Sequence, residues 1–230
     1  MPTPTAPNLL NDDGSASMAT AFLMSHHAFR RDIARFASAL RRLSEGDQAR
    51  IPALQKEWQG YHGALHGHHT IEDQNIFPGL RAEQKDLVAI IDQLAAQHRR
   101  IDPLLESGDR AFASLPGATA EAALIVGQLS SLLDEHLALE EAHVIRFLRG
   151  AHEFPPPATD AEAVLYADGF AWSSDGIAPE VLDKVYAMLP EALRSRLPAA
   201  RAVFDERCDR VWGERARGSS RTSVPDWPTR

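Results

Sequence analysis

The chain is nearly without cysteine: Cys208 is the only one in 230 residues. That excludes a disulfide framework and a cysteine-based zinc site, and it fits a reducing cytoplasm. Long apolar runs are missing too, since no stretch approaches the roughly 18 uninterrupted apolar residues of a membrane-spanning helix. Excess positive charge is absent. The formal net charge is -8, which makes nucleic acid and anionic membrane surfaces poor partners. Residues 1–17, rich in Pro, Thr, Asn and Asp, lack the basic start and apolar centre of a signal peptide and are expected to be disordered. Strand patterns are also lacking, because no glycine-rich alternating segment occurs. What the chain has in quantity is histidine. Seven of its ten histidines fall between His26 and His98.

Apolar residues recur at helical spacing in four long segments. The first predicted helix runs from about residue 18 to Leu43, with Phe22, His26, Phe29, Ile33, Phe36 and Leu40 on one stripe. The second spans Ile51 to Leu80, with Leu54, Trp58, Tyr61, Leu65, His68, Glu72 and Ile76 aligned and Pro78 set to kink its last turn. The third begins with Asp86 as N-cap and carries Ile91, Leu94, His98, Ile101 and Leu105. Pro103 predicts a bend or an early end, before Gly108. The fourth spans Thr119 to Leu148, with Leu129, Leu133, His136, Glu140, His143 and Phe147 on its stripe, and Gly150 closes it.

Short connections make neighbouring helices antiparallel, so the expected fold is all-α: an up-down-up-down four-helix bundle over residues 18–150. A proline-rich linker, His152–Pro157, follows. Helices are predicted near Asp160–Asp168, Pro179–Leu189 and Pro198–Val211, forming an extension over 151–212. Phe170, Trp172 and Trp212 are expected to pack this extension on the bundle or to meet a protein partner. Residues 213–230 are polar and basic, with disorder expected.

The histidines carry the chemistry. Helices one and two supply His26, then His68 with Glu72; helices three and four supply His98, then His136 with Glu140. Each half thus gives a lone histidine followed by a His-x-x-x-Glu pair, and residues four apart share a helix face. In an up-down bundle the four histidines fall near one level, within a few ångström at ~1.5 Å per residue. Burying imidazoles and carboxylates among Leu, Phe and Trp is costly unless they are paired or metal-bound. Two divalent cations resolve this, each taking two imidazoles, with the glutamates as bridges. Nitrogen and carboxylate oxygen without thiolate suit iron or manganese, and zinc less well. A lone histidine on an apolar stripe is by itself more often a hydrogen-bonded core residue; the joint pattern is what points to metal. Some alternatives stay open. His62, His66, His69 and Asp73 form a neighbouring line, read as a solvated polar face, although His69-x-x-x-Asp73 becomes the ligand pair if the register shifts by one. Glu141 competes with Glu140. His27 points off the stripe, and His143 belongs to the periphery of the site or to the surface.

The run His68-His-Thr-Ile-Glu72-Asp-Gln-Asn-Ile-Phe-Pro78 resembles the first His-x-x-x-Glu…Phe-Pro signature of the hemerythrin-like cation-binding domains, and His136-Leu-Ala-Leu-Glu140-Glu141 resembles the second. His26 and His98 match the lone histidines. The resemblance covers roughly residues 18–150. It implies an antiparallel bundle, a bridged non-haem di-iron centre, and binding, sensing or chemistry with O₂, nitric oxide or peroxide, including peroxide decomposition. It also leaves both Glu140 and Glu141 in play, since the carboxylate of the fourth helix stands four or five residues after its histidine. One feature departs from the oxygen carriers, which have a second histidine a turn away on helix three. Here Leu94 and Asp102 flank His98. That departure leaves open metal positions, one of which Asp102 could fill, and favours reactive or exchangeable sites over pure reversible carriage. A reading of another class is an iron-responsive interaction module, in which metal governs folding and partner binding.

Overall fold

The structure is a computed structural model that describes residues 8–44 and 48–213. No strand occurs among the described residues. The helices are α1 (Met18–Ser44), α2 (Ile51–Ile71), α3 (Phe77–Glu83), α4 (Val88–Ala113), α5 (Thr119–His143), α6 (Asp160–Ser173), α7 (Pro179–Ala187), α8 (Glu191–Arg194) and α9 (Leu197–Trp212). They form two compact units: Phe29–His143, and the described parts of Met1–Ala28 with Val144–Arg230.

In the first unit each helix runs opposite to its neighbours. Phe29 of α1 meets Tyr61 and His68 of α2, whereas Phe36 meets Trp58. Rising numbers on α1 therefore meet falling numbers on α2. Trp58 then bonds Asp109 of α4, while His69 stacks on His98, so α2 and α4 are also antiparallel. Helices α4 and α5 are joined by the short turn at 114–118, and they meet again at the far end through His98 and His136. Arg30 of α1 reaches Glu141 of α5 and closes the ring. The arrangement is a four-helix bundle, as apolar stripes of this spacing require.

Two features of these helices differ from the sequence expectation. Helix α4 passes through Pro103 and Gly108 without a break and ends at Ala113. Pro103 is exposed, so water can satisfy the carbonyl that its missing N–H leaves behind. The second predicted helix is divided by a π-turn at Glu72–Ile76. Pro78 lies just beyond this turn, in the first turn of α3. A wider turn draws the carbonyl four residues back away from the proline ring, which would otherwise clash with it. It also resets the helical phase, so that Glu72 and Phe77 are both buried.

The lower core of this unit is aromatic. Trp58 stacks on Phe112 with ring centres 4.4 Å apart and planes 9° apart. Phe36 packs edge-on against Trp58, Tyr61 and Phe112. Such pairs add about 0.5–1.5 kcal/mol each beyond burial.

In the second unit, residues 8–17 are held by long-range hydrogen bonds. Leu9 is fully buried. The Arg149 guanidinium donates to the carbonyls of Asn8 and Leu10, and the Met18 N–H donates to Ala151 O at 2.7 Å. These bonds group the start of α1 with the chain after Val144. Helix α6 starts at a Thr159 cap that accepts from the Glu162 N–H, and it packs against α8 and α9. Phe170 and Trp212 are buried in this unit and Trp172 is half-buried. Residues 214–230, with the tail expected to be disordered, lie outside the described residues.

Gly108 yields a prediction. A Cβ there would sit 2.0 Å from Trp58 Cζ2, inside a ring that cannot yield because Phe112 backs it. Gly127, in α5, has nothing within 4 Å of its would-be Cβ. Gly127→Ala is expected to stabilise the protein by about 1 kcal/mol through helix propensity. Gly108→Ala is expected to destabilise it by about 1–3 kcal/mol, since overlap outweighs propensity. Urea midpoints of the two variants measure both, and a stabilised Gly108→Ala would refute the packing described.

Candidate metal centre

Glu72 is the middle of the site. It is fully buried at the end of α2, where the π-turn begins. Its two oxygens face different histidines. Oε1 lies 2.7 Å from His68 Nε2, and Oε2 lies 3.1 Å from His98 Nε2. The carboxylate therefore stands between two groups of donors. One group is His69, Glu72, His98 and His136, all buried, with one donor atom from each within 4.8 Å of all the others. Glu72 also stands within that spacing of His68 and Glu140.

Sequence reasoning missed His69 as the favoured residue and placed it on a solvated face. It is 3% exposed. The reason is geometric. Helix α2 lies between α1 and α4, so two adjacent positions, about 100° apart around the axis, both point inward. His68 faces Phe29 of α1, with ring centres 5.3 Å apart. His69 faces His98 of α4 at 4.0 Å and His136 of α5 at 5.2 Å. The alternative pair His69-x-x-x-Asp73 held the signal, but only His69 lies in the centre. Asp73 is half-exposed and supports from outside.

That support sets tautomers. His98 Nδ1 lies 3.1 Å from Asp73 Oδ2, and His136 Nδ1 lies 3.2 Å from Gln97 Oε1. With a metal bound, a proton on each Nδ1 would be donated outward and Nε2 would keep its lone pair for the ion. Phe77 lies parallel to His98 at 5.8 Å and walls off that ring.

Charge follows burial. Burial alone would raise the Glu72 carboxyl, but the charge of His68 and the hydrogen bonds of His68 and His98 hold it well below the usual carboxylate range. Burial and the neighbouring His98 push His69 far down, so it stays neutral. Burial also pulls on His98, but its bonds to Glu72 and Asp73 win and raise it. The centre therefore holds an anion, a neutral imidazole and an imidazole that attracts a proton. Deprotonated carboxylate and neutral imidazole are the forms that bind metal.

The donors fit a cation. Neither ring nitrogen of His69 makes a hydrogen bond, although the ring is buried, and a buried polar atom left so is costly. A metal satisfies it. The donor atoms of the set lie within 4.8 Å of one another, against roughly 3.4 Å for tetrahedral ligands on bonds of about 2.1 Å, so modest side-chain shifts close the set on an ion. The histidine and carboxylate mix suits a borderline transition metal.

The remaining candidates are placed as follows. His26 is fully buried on α1, with Phe22 against its ring at 5.1 Å. His27, expected off the stripe, is buried too. Glu140 is fully buried, with Oε2 4.0 Å from His136 Nε2. Glu141, weighed as its rival, belongs to neither metal-capable group among the described residues. Its two oxygens instead meet Arg30 Nη1 at 2.6 Å and Nη2 at 3.3 Å. The next residue on a helix is turned by about 100°, which takes Glu141 off the centre and onto α1. His143 is half-buried. Asp102 belongs to neither metal-capable group among the described residues; its Oδ1 lies 3.6 Å from His66 Nδ1.

The two glutamates are expected to separate in experiment. Glu141→Ala removes a charge-assisted pair and should lower stability by about 2 kcal/mol, with metal content unchanged. Glu140→Gln should lower metal content instead. Denaturation and metal analysis on both variants decide, and metal loss from the Glu141 variant would reassign the ligand.

Among the described residues no helix is long and apolar enough to cross a membrane. Comparisons with curated proteins and with solved structures give no significant match. The family profile described as "Hemerythrin HHE cation binding domain" matches residues 17–148. That span contains every donor described above, and the chain belongs to the hemerythrin HHE cation-binding domain family.

Proposed function

We propose that this protein holds a non-haem di-iron centre and uses it, in the cytoplasm, to bind, sense or react with a small oxidant: O₂, peroxide or nitric oxide. The observation that carries the reading is Glu72, a buried carboxylate with one oxygen toward His68 and the other toward His98. In this reading His69, His98 and His136 hold one ion. His26, His68 and Glu140 hold the other, and Glu72 joins both. Bound iron supplies electrons and open coordination positions for the oxidant.

The protein's own part is binding, orientation and exclusion of water. Asp73 and Gln97 fix the outer nitrogens of His98 and His136. Phe29 and Phe77 cover His68 and His98. Arg30 locks α1 to α5 beside Glu140 through Glu141. The Tyr61 phenol is held protonated far above its ordinary range by burial and by Asp32 and Asp134. It donates to Phe29 O at 3.3 Å, so its proton stays in the α1–α2 contact. Manganese is the next candidate for the same donors, and zinc, which has no redox chemistry, suits the reading least.

Metal analysis and an optical spectrum of freshly purified protein test this. About two irons per chain are expected, with visible absorption that changes on adding peroxide. Rapid O₂ evolution would mark a catalyst, and a stable coloured state a carrier or sensor. A colourless protein with less than one metal per chain would overturn the reading. His69→Ala should retain about one ion, with the spectrum changed accordingly.

A further inference from the structure

Along the seam between α2 and α4, histidines and carboxylates face one another at successive levels. His62 Nδ1 lies 2.9 Å from Asp109 Oδ2. His66 Nδ1 lies 3.6 Å from Asp102 Oδ1. Next come His69 and His98, stacked at 4.0 Å within the buried centre. His66 precedes His69 by three residues, and Asp102 follows His98 by four. Each therefore stands about one turn, roughly 5 Å, outside the centre on its own helix. Exposure falls steeply across that turn. The side chains of His66 and Asp102 are 59% and 44% exposed, whereas His69 and His98 are each 3% exposed.

The His66 level is unlike the one beyond it. His62 and Asp109 are in direct hydrogen-bond contact, and Trp58 Nε1 donates to the same carboxylate. His66 and Asp102 are too far apart for a hydrogen bond. Asp102 Oδ1 makes none, although that oxygen is shielded from solvent. The gap of 3.6 Å suits two adjacent ligands of one cation. Bonds of about 2.1 Å at an angle near 110° put donors roughly 3.4 Å apart.

We propose that His66 and Asp102 form a capture site from which a divalent cation passes to the set of His69, Glu72, His98 and His136. One imidazole and one carboxylate suit Fe²⁺, Mn²⁺, Co²⁺ or Zn²⁺. With water as its other ligands the ion is held weakly, as a transfer step requires. One turn inward it exchanges water for the imidazoles of His69 and His98. Asp102, a candidate ligand of the centre on sequence grounds, thus acts at its entrance. This inference rests on the buried set being a metal centre.

Uptake of Co²⁺ by the full chain stripped of metal tests it, followed by stopped-flow visible absorption. Wild type, His66→Ala and Asp102→Asn are compared, with final stoichiometry and final spectrum recorded. Both replacements are at half-exposed positions, and circular dichroism checks their folding. Slower uptake by about tenfold in each variant, with the same end point, is the expected result. Unchanged uptake rates would overturn the capture site and leave the buried centre standing. An altered final spectrum would also overturn it, by making the residues permanent ligands. If wild type itself takes no Co²⁺ into the buried set, the reading of the centre fails, and the capture site with it.

Discussion

A carboxylate with no access to water, set between imidazoles from different helices, is the constraint on which the fold of residues 29–143 depends. Glu72 is fully buried, and an unneutralised carboxylate in such surroundings costs several kcal/mol. In the absence of a cation the surrounding histidines answer that charge: His98 is drawn toward its protonated form by Glu72 and Asp73. A metal does the same with fixed geometry and with charge to spare. The polar layer is thus an arrangement in which one species, proton or cation, must sit among the donors, and the helices supply the fixed frame.

The frame is built to hold that layer in register. Below it, the stack of Trp58 on Phe112 and the edge contacts of Phe36 hold α1, α2 and α4 at close range. The close approach needs Gly108. At the layer, the π-turn changes the helical phase between Glu72 and Phe77, so that a ligand and the ring that covers a ligand can both point inward from one chain segment. On α5, the neighbouring residues Glu140 and Glu141 divide two tasks. One is buried beside His136, and the other is bonded to Arg30.

Much of this was legible in the sequence because helical period and ligand spacing coincide. The stripes that predicted four helices also placed His68, Glu72, His98, His136 and Glu140 at buried positions near one level. What was not legible depends on how many neighbours a helix has. A single stripe assigns one inward position per turn, yet α2 has partners on two sides, and His69 is buried as deeply as Glu72's other neighbours. The π-turn was hidden for a related reason. Pro78 announced a disturbance, but a kink and a widened turn have the same sequence signature. Pro103 and Gly108 read as helix stops by local propensity, whereas α4 runs through both, because exposure satisfies the first and the Trp58 ring occupies the space beside the second. The order of residues 8–17 comes from hydrogen bonds to Arg149 and Ala151, more than a hundred positions away, which no local pattern records.

Anomalous diffraction at the iron edge, from crystals of the metal-loaded protein, tests the buried centre most directly. Two peaks are predicted on either side of the Glu72 carboxylate, one beside His69, His98 and His136 and one beside His68 and Glu140. A single peak, or peaks confined to the exposed histidines with the space around Glu72 bare, would contradict it.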